Sequence, residues 1–275
     1  MPYGILWLKK KYLNKDKKYN DLYDFFANNS DKAEKFIQYI YGIIVKEGDC
    51  VIDVGANHGF HTILLSKLVG ESGVVLACEA IENNINDIKS TTNIQNIHFC
   101  CAAITKPDVV EHLKEISFNY FPDNDGLSGI MKRPDVKDKE ILVTVPISTL
   151  DKIVTEQRIC KEKQISFIKI DVEGGDFDVL LGAENILKEY KPVVIFESGR
   201  QFSADLYNYT KEEFFQYFEK IGYVMFQFTG GILQRDDWSK NNVYWETWLI
   251  HKDSSYLSFF KNNYINFANI YKDDQ

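Results

Sequence analysis

The sequence predicts an α/β fold: a mostly parallel sheet with helices on both faces and an antiparallel last strand. Three observations predict it. Short apolar runs alternate with amphipathic helical stretches from about residue 50 to residue 222, the pattern of repeated βα units. The first run, Cys50 to Val54, ends in the turn Gly55-Ala56-Asn57-His58-Gly59, as a buried parallel strand feeding a helix does. The last two runs, Tyr223 to Phe228 and Tyr244 to Ile250, are joined by a loop carrying Gly230, Gly231, Asp236 and Asp237 and no helix, which suits an antiparallel pair.

The elements follow in order. Phe36, Ile37, Ile40, Tyr41 and Ile44 form one helical stripe, with Ser30 or Asp31 as its expected cap and Glu34 in its first turns. Gly48-Asp49 breaks the stripe ahead of the first strand. Thr62 to Val69 is helical and ends at Gly70 and Gly73; Val74 to Cys78 is the second strand, closed by Glu79. Glu82 to Thr92 is the second helix of the alternation, and Ile97 to Ile104 the third strand. Residues 105–146 break the rhythm with Pro107, Pro122, Pro134, Gly126 and Gly129, and read as an insertion or a pair of hairpins on the sheet's rim, the kind of segment that forms lids. The alternation resumes with strand Ile165 to Asp171, helix Phe177 to Tyr190, strand Val193 to Phe196 closed by Glu197, and helix Lys211 to Ile221. The aromatic tail of Tyr256, Phe259, Phe260, Tyr264 and Phe267 packs as a helix. The expected division is a helical extension over 1–46, a catalytic domain over 47–252 with the 105–146 insertion as its lid, and a helical tail over 253–275.

The whole chain narrows the function. Its 275 residues suffice for one large domain with a substantial core, and 45% hydrophobic with 26% charged residues is an ordinary globular balance. A net charge of -8 argues against a nucleic-acid partner, which needs a dense Lys/Arg surface. Lys9, Lys10, Lys11, Lys15, Lys17 and Lys18 read as a solvated face. Five cysteines, odd in number and without a CxxC pair, read as reduced, mostly buried thiols of a cytoplasmic protein. No run approaches the ~18 apolar residues of a membrane span. In the apolar start Met1 to Leu8 the lysines follow rather than precede, the wrong order for a secretory signal. The oligomeric state is not readable.

The glycine turn and Glu79 make a cofactor site. Gly55 and Gly59 let backbone approach a ligand, and a carboxylate at the end of the neighbouring strand can accept both ribose hydroxyls of an adenosine. The order G-A-N-H-G lacks the GxGxxG of a pyrophosphate cradle, which disfavours a nicotinamide dehydrogenase. S-adenosylmethionine carries no phosphate. Asp53 and the backbone at Gly55 suit its ammonium, and Asn57 with nearby N–H groups suits its carboxylate.

Several blocks together resemble the FkbM family of methyltransferases. They are Val51 to Thr62, Cys78-Glu79-Ala80, Gly126-Leu127-Ser128-Gly129, Val145 to Asp151, Ile168 to Ala183 and Pro192 to Glu197. They leave the first 45 residues and the tail uncovered. Gly175-Asp176 stands where many members have a small residue and then Glu. The resemblance implies a Rossmann-like class I methyltransferase sheet, S-adenosylmethionine as cofactor, and methylation of hydroxyls on saccharides and natural products. It implies cofactor contacts from Asp53, Gly55, Ala56, Asn57, Gly59, Thr62, Glu79, Ala80, Ala102 and Asp171.

Asp171 and Glu173, at the end of the strand beside the first, are the expected catalytic pair, one of them the general base that a weakly acidic hydroxyl needs. Lys169, Glu197, His58 and His61 stand in reserve. No metal is expected, although Asp171, Glu173 and Glu197 are residue types that can hold a divalent cation. His98, His112 and His251 read as structural, and Ser128 as either a turn residue or a ligand contact. The competing readings are a nitrogen methyltransferase on a peptide or amide and a non-catalytic binding module.

Overall fold

A computed structural model describes residues 19–91, 94–160, 163–240 and 243–273. The basic cluster at Lys9 to Lys18 and the apolar start lie outside the described residues. The central sheet has seven strands: β1 (Cys50–Val54), β2 (Val74–Glu79), β3 (Ile97–Cys101), β7 (Ile165–Ile170), β8 (Val193–Glu197), β9 (Tyr223–Gln227) and β10 (Glu246–His251). Their spatial order is β3-β2-β1-β7-β8-β10-β9. All neighbours pair in parallel except β10, which runs antiparallel to both β8 and β9. The expected α/β sheet with an antiparallel last strand is what the chain forms. Strand order reverses between β1 and β7, the point where open α/β sheets bind ligands beyond their strand ends.

Helices cover both faces. One face carries α1 (Tyr19–Ala27), α2 (Ser30–Ile44), α3 (Phe60–Val69), α4 (Glu82–Thr91) and, from the far end of the chain, α11 (Leu257–Asn262) and α12 (Tyr264–Asp273). Phe26, Phe36, Tyr41, Leu65, Phe260 and Tyr264 pack there on Val51, Phe167, Ile195 and Trp248. The opposite face carries α6 (Leu150–Gln157), α7 (Asp176–Leu181), α8 (Glu184–Tyr190) and α10 (Lys211–Lys220), whose Ile153, Val179, Leu187 and Phe214 pack on Ile52, Leu76, Ile168 and Val194. Central strands buried on both sides explain why β1 and β8 read as mostly apolar runs rather than alternating ones. No helix among the described residues is long and apolar enough to cross a membrane.

Four expectations are corrected. The cap of α2 is neither Ser30 nor Asp31: both lie inside the first turn, and Asn29 takes the cap position without a side-chain bond to it. The helix expected over Phe177 to Tyr190 is two helices. Gly182 interrupts it where a Cβ would come within 2.4 Å of the Thr105 carbonyl oxygen, and the Asp151 carboxylate restarts it by accepting from Asn185 and Ile186 N–H at 2.9 and 3.0 Å. The strand expected over Ile97 to Ile104 leaves the main sheet at Ala102. Its end, β4 (Ala103–Ile104), joins β5 (Glu115–Tyr120) and β6 (Ile141–Ser148) in a small second sheet, order β4-β6-β5, with α5 (Pro107–His112) between. Finally, the thiols are not all reduced. Cys50 and Cys160, 110 residues apart with Cα atoms at 5.8 Å, form a disulfide, while Cys78, Cys100 and Cys101 are free. A short helix that carried no sequence signal, α9 (Gln201–Tyr207), follows β8.

Candidate active site

The carboxyl ends of β1, β2 and β7 meet the small sheet across a cleft of about 750 Å³, its open mouth included. Gly55 brings the walls together. Its φ is +81°, and a Cβ there would lie 1.8 Å from the Asp171 carbonyl oxygen, so β7 can end against the β1 turn only because residue 55 has no side chain. Two hydrogen bonds fix the junction, Asp171 N–H to Val54 O and Gly55 N–H to Cys78 O, both 2.9 Å. Asn57 follows at φ +46°, a conformation Asn tolerates, and its Oδ1 accepts from His58 N–H at 2.6 Å.

Glu79, at the end of β2, ties the β1 turn to the start of the next helix. One carboxylate oxygen accepts from Asn57 N–H at 2.8 Å and the other from Ile81 N–H at 2.9 Å. Each oxygen keeps a lone pair for a ligand. Burial raises the carboxyl's pKa and those two N–H groups pull it back, leaving it above the ordinary value. The cleft wall also holds Gly55, Asn57, Ala80, Ala102, Asp171 and Glu173 from the expected set. Asp53, Ala56, Gly59 and Thr62 do not line it. Asp53 is 1% exposed and accepts from the Thr62 hydroxyl at 2.6 Å, so this pair braces the turn from behind. Gly59 is needed where a Cβ would strike Ile88 at 2.8 Å, and the Ala56 N–H donates to Cys78 O.

The 105–146 insertion supplies Gly126 and Ser128 from one of the quoted blocks and three residues that no motif announced, Phe118, Asp125 and Ile130. Phe118, Asp125, Gly126, Ser128 and Ile130 close the cleft from above. Ser128 serves as both turn and wall: its hydroxyl accepts from Phe121 N–H at 3.1 Å while the residue lines the cleft. His58, a reserve base in the sequence reading, instead joins the lid to the body, with Nε2 2.7 Å from Asp125 and Nδ1 3.2 Å from Asp87. Arg133 reaches back from the lid to ion-pair with Glu173, with its guanidinium 5.4 and 5.7 Å from the ring centres of Phe202 and Trp245. Asp178 and Tyr207 complete the far wall. Among the described lining residues there are five carboxylates and no Lys, Arg or His. That donor set repels a pyrophosphate and suits a cofactor bearing a sulfonium and an ammonium.

Strand register explains the second group of charges. Asp53 pairs with Lys169, Lys169 with Ile195, and Glu197 with Glu246. Partners directly opposite share a face and side chains alternate along a strand, so Asp53, Lys169, Glu197 and Glu246 all project toward the face that α2 covers. Lys169 is 6% exposed and donates to Asp171 at 3.0 Å. Burial disfavours its ammonium, yet Asp171 and Asp53 outweigh that and raise its pKa. Burial likewise disfavours the Asp171 carboxylate, but Lys169 holds its pKa below the ordinary range. His61, from the reserve set, donates or accepts between Glu34 at 2.9 Å and the Tyr41 hydroxyl at 3.3 Å, tying α2 to α3.

The remaining acids shift the other way. Burial, then Asp171, pushes Glu173 up to about 7 against the pull of Arg133. Burial pushes Glu246 and Asp176 to about 8, and Glu197 is raised by burial and by Asp171 and Asp176 beside it. Oxygens of Asp171, Glu173 and Glu197 lie within 4.8 Å of one another, a spacing that can hold a divalent ion, although Lys169 and Arg133 already neutralise two of the three. A folded state with raised carboxyl pKa values binds protons that the unfolded chain has released. The contribution of these groups to stability is therefore full below the unfolded value of 4.5 for Glu and is lost as pH rises through about 8. Denaturant midpoints are expected to fall between about pH 5 and pH 9, less steeply in Glu246→Leu; equal slopes in the two proteins would refute the assignment.

The family model described as the methyltransferase FkbM domain matches residues 53–225. The chain belongs to the FkbM methyltransferase family. None of the curated proteins matches it. Among solved structures it is similar to an FkbM methyltransferase from Methylobacillus flagellatus (13% identity, TM-score 0.44), covering 90% of this chain and 59% of that one. It is also similar to an rRNA methylase from Streptococcus thermophilus (10% identity, TM-score 0.42, 79% and 94% covered). A third is a SAM-dependent methyltransferase from Aquifex aeolicus (16% identity, TM-score 0.34, 80% and 87% covered). The FkbM match spans α3 through β9 and leaves out α1, α2, β10 and the last two helices.

Proposed function

We propose that this FkbM family chain is an S-adenosylmethionine-dependent methyltransferase that methylates a hydroxyl oxygen on a saccharide or similar natural product. The observation that carries the reading is the position of Asp171, which lines the cofactor cleft and also a second cavity beyond the ends of β7, β8 and β10. A donor in the first space and an acceptor in the second would meet at that residue. S-adenosylmethionine, when bound, supplies an electrophilic methyl group on a sulfonium.

The chain's own residues do the rest. Glu79 offers its two free lone pairs to a ribose, and the carboxylates around the cleft favour the cofactor's positive groups. Lys169 fixes the orientation of Asp171, whose low pKa keeps it ionised and makes it a weak base. Glu173, with a pKa of about 7, is matched to accept a hydroxyl proton near neutral pH. Its φ of +57° is an unusual backbone conformation for a glutamate, a strain of the kind held at functional positions. Holding the reactants aligned lowers the barrier by roughly 7–11 kcal/mol in favourable cases, and the lid contacts of Arg133 and Asp125 supply such confinement.

Calorimetry with S-adenosylmethionine tests the cofactor. Glu79→Ala removes the acceptor of two backbone N–H groups as well as the ribose contact, and binding is expected to weaken by about 1.5–3 kcal/mol. An intact protein that does not bind the cofactor sinks the proposal. Labelled methyl transfer to a glycan panel against a peptide panel separates oxygen from nitrogen acceptors.

A further inference from the structure

The cavity beside Asp171 has a composition of its own. It spans about 320 Å³, its open mouth included, and is walled by Glu34, Lys169, Asp171, Glu197 and Glu246 over an apolar floor that includes Ile37 and Phe196. Two of its walls come from outside the matched family domain: Glu34 and Ile37 from α2, and Glu246 from β10. The shared FkbM core thus provides Lys169, Asp171 and Glu197, and the flanking segments shape what stands opposite them.

Donors and acceptors are left over on both sides. Lys169 is an almost fully buried ammonium with three N–H donors, and among the described residues it spends one, on Asp171. A buried ammonium with two unspent donors facing a cavity calls for oxygen acceptors from a ligand. Opposite it, Glu197 and Glu246 stand as direct partners across antiparallel strands, an unfavourable placement for two carboxyls, and neither has an ion-pair partner among the described residues. Glu34 spends one oxygen on His61.

We infer that this cavity is the acceptor subsite and that it reads a vicinal diol, with Lys169 donating to one hydroxyl oxygen while Glu246 and Glu34 accept from the hydroxyls. The inference rests on the oxygen-methylation reading above. A hydroxyl both gives and accepts a hydrogen bond, so two adjacent hydroxyls match a wall that offers an ammonium on one side and carboxyls on the other. An ammonium on the acceptor would satisfy the carboxyls but meet the charge of Lys169, and an apolar alcohol would leave both sides unpaired. The raised pKa of Glu246 supports the choice, because a protonated carboxyl also both gives and accepts.

The test uses the full chain saturated with S-adenosylhomocysteine. Binding of methyl hexopyranosides covering each arrangement of neighbouring hydroxyls, of their monodeoxy counterparts and of 2-aminocyclohexanol is measured by saturation-transfer NMR and calorimetry. At least one glycoside is expected to bind, and its deoxy counterpart to bind about 10–100-fold more weakly. Glu246→Leu and Glu34→Ala are each expected to weaken that glycoside about tenfold while changing S-adenosylhomocysteine affinity by less than about twofold, which also shows that both variants fold. Glycoside binding indifferent to both variants overturns the subsite and leaves the methyltransferase reading standing, as does tight binding of the amino alcohol alone or no binding by any glycoside. Failure of S-adenosylhomocysteine itself to bind overturns the methyltransferase reading, and the inference with it.

Discussion

Replacing Gly55 by alanine is expected to abolish cofactor binding and to destabilise the fold. The added Cβ would sit 1.8 Å from the Asp171 carbonyl oxygen and 2.8 Å from its carbonyl carbon. Both are backbone atoms, so no flexible side chain can swing aside. Overpacking of this kind costs about 1–3 kcal/mol or more, and a φ of +81° adds roughly 1–2 kcal/mol for a residue with a side chain. Relief requires β1 and β7 to part at their ends, which breaks the Asp171 N–H to Val54 O bond and moves Asp171 away from both cavities. Denaturant melts and calorimetry measure the two effects. Gly42→Ala is the control: it lies within α2 and its Cβ would meet nothing within 4 Å, so it is expected to stabilise by about 0.5–1 kcal/mol. A Gly55→Ala protein with native stability and native cofactor affinity would show that the β1–β7 junction is softer than its contacts indicate.

Glu173→Gln is expected to lower turnover by about 10²–10⁴-fold while leaving cofactor affinity near that of the parent. The amide keeps the shape and removes the proton acceptor. The contact of His58 with Asp125 at 2.7 Å is untouched, so the 105–146 insertion keeps an anchor on the body. The pH profile is the sharper readout. A base must be unprotonated, so parent activity should climb as pH rises through about 7 and level off above it. Were Asp171 the base, its depressed pKa would put that climb well below neutrality and leave a flat profile across the same interval. A flat parent profile, or full activity in Glu173→Gln, assigns the base elsewhere.

The sequence made the sheet readable because the central parallel strands are mostly apolar, with Asp53 and Lys169 as buried exceptions, and glycine turns punctuate them. The approach of Gly55 to Asp171 was legible only as two separate motifs, since contact between the first and fifth blocks is a property of strand order rather than of spacing. Glu79 and Asp171 could be found because each ends a strand. Asp125 and Tyr207, which line the cleft, and Arg133, which pairs with Glu173 at its wall, could not, because they come from an irregular insertion and a short helix that have no sequence period. Asp53 illustrates the converse: a motif residue whose side chain turns inward to hold Thr62. Glu34 and Glu246 were hidden for a third reason. Their meeting at the second cavity depends on which face of the sheet β10 turns toward α2, and that becomes visible only once register is known.

The packing of the chain's two flanks against each other bears on the order in which the molecule is built. α2, which carries Glu34, is bolted down from far along the sequence: the Tyr271 hydroxyl donates to Lys32 O across 239 residues, and the Tyr256 hydroxyl to Ile44 O across 212. Every residue lining the cofactor cleft lies between Val54 and Tyr207 and is made before either tyrosine. A nascent chain therefore carries every residue of the cleft beside Glu79 before it can brace the α2 wall of the second cavity, so the two cavities are completed in sequence during synthesis.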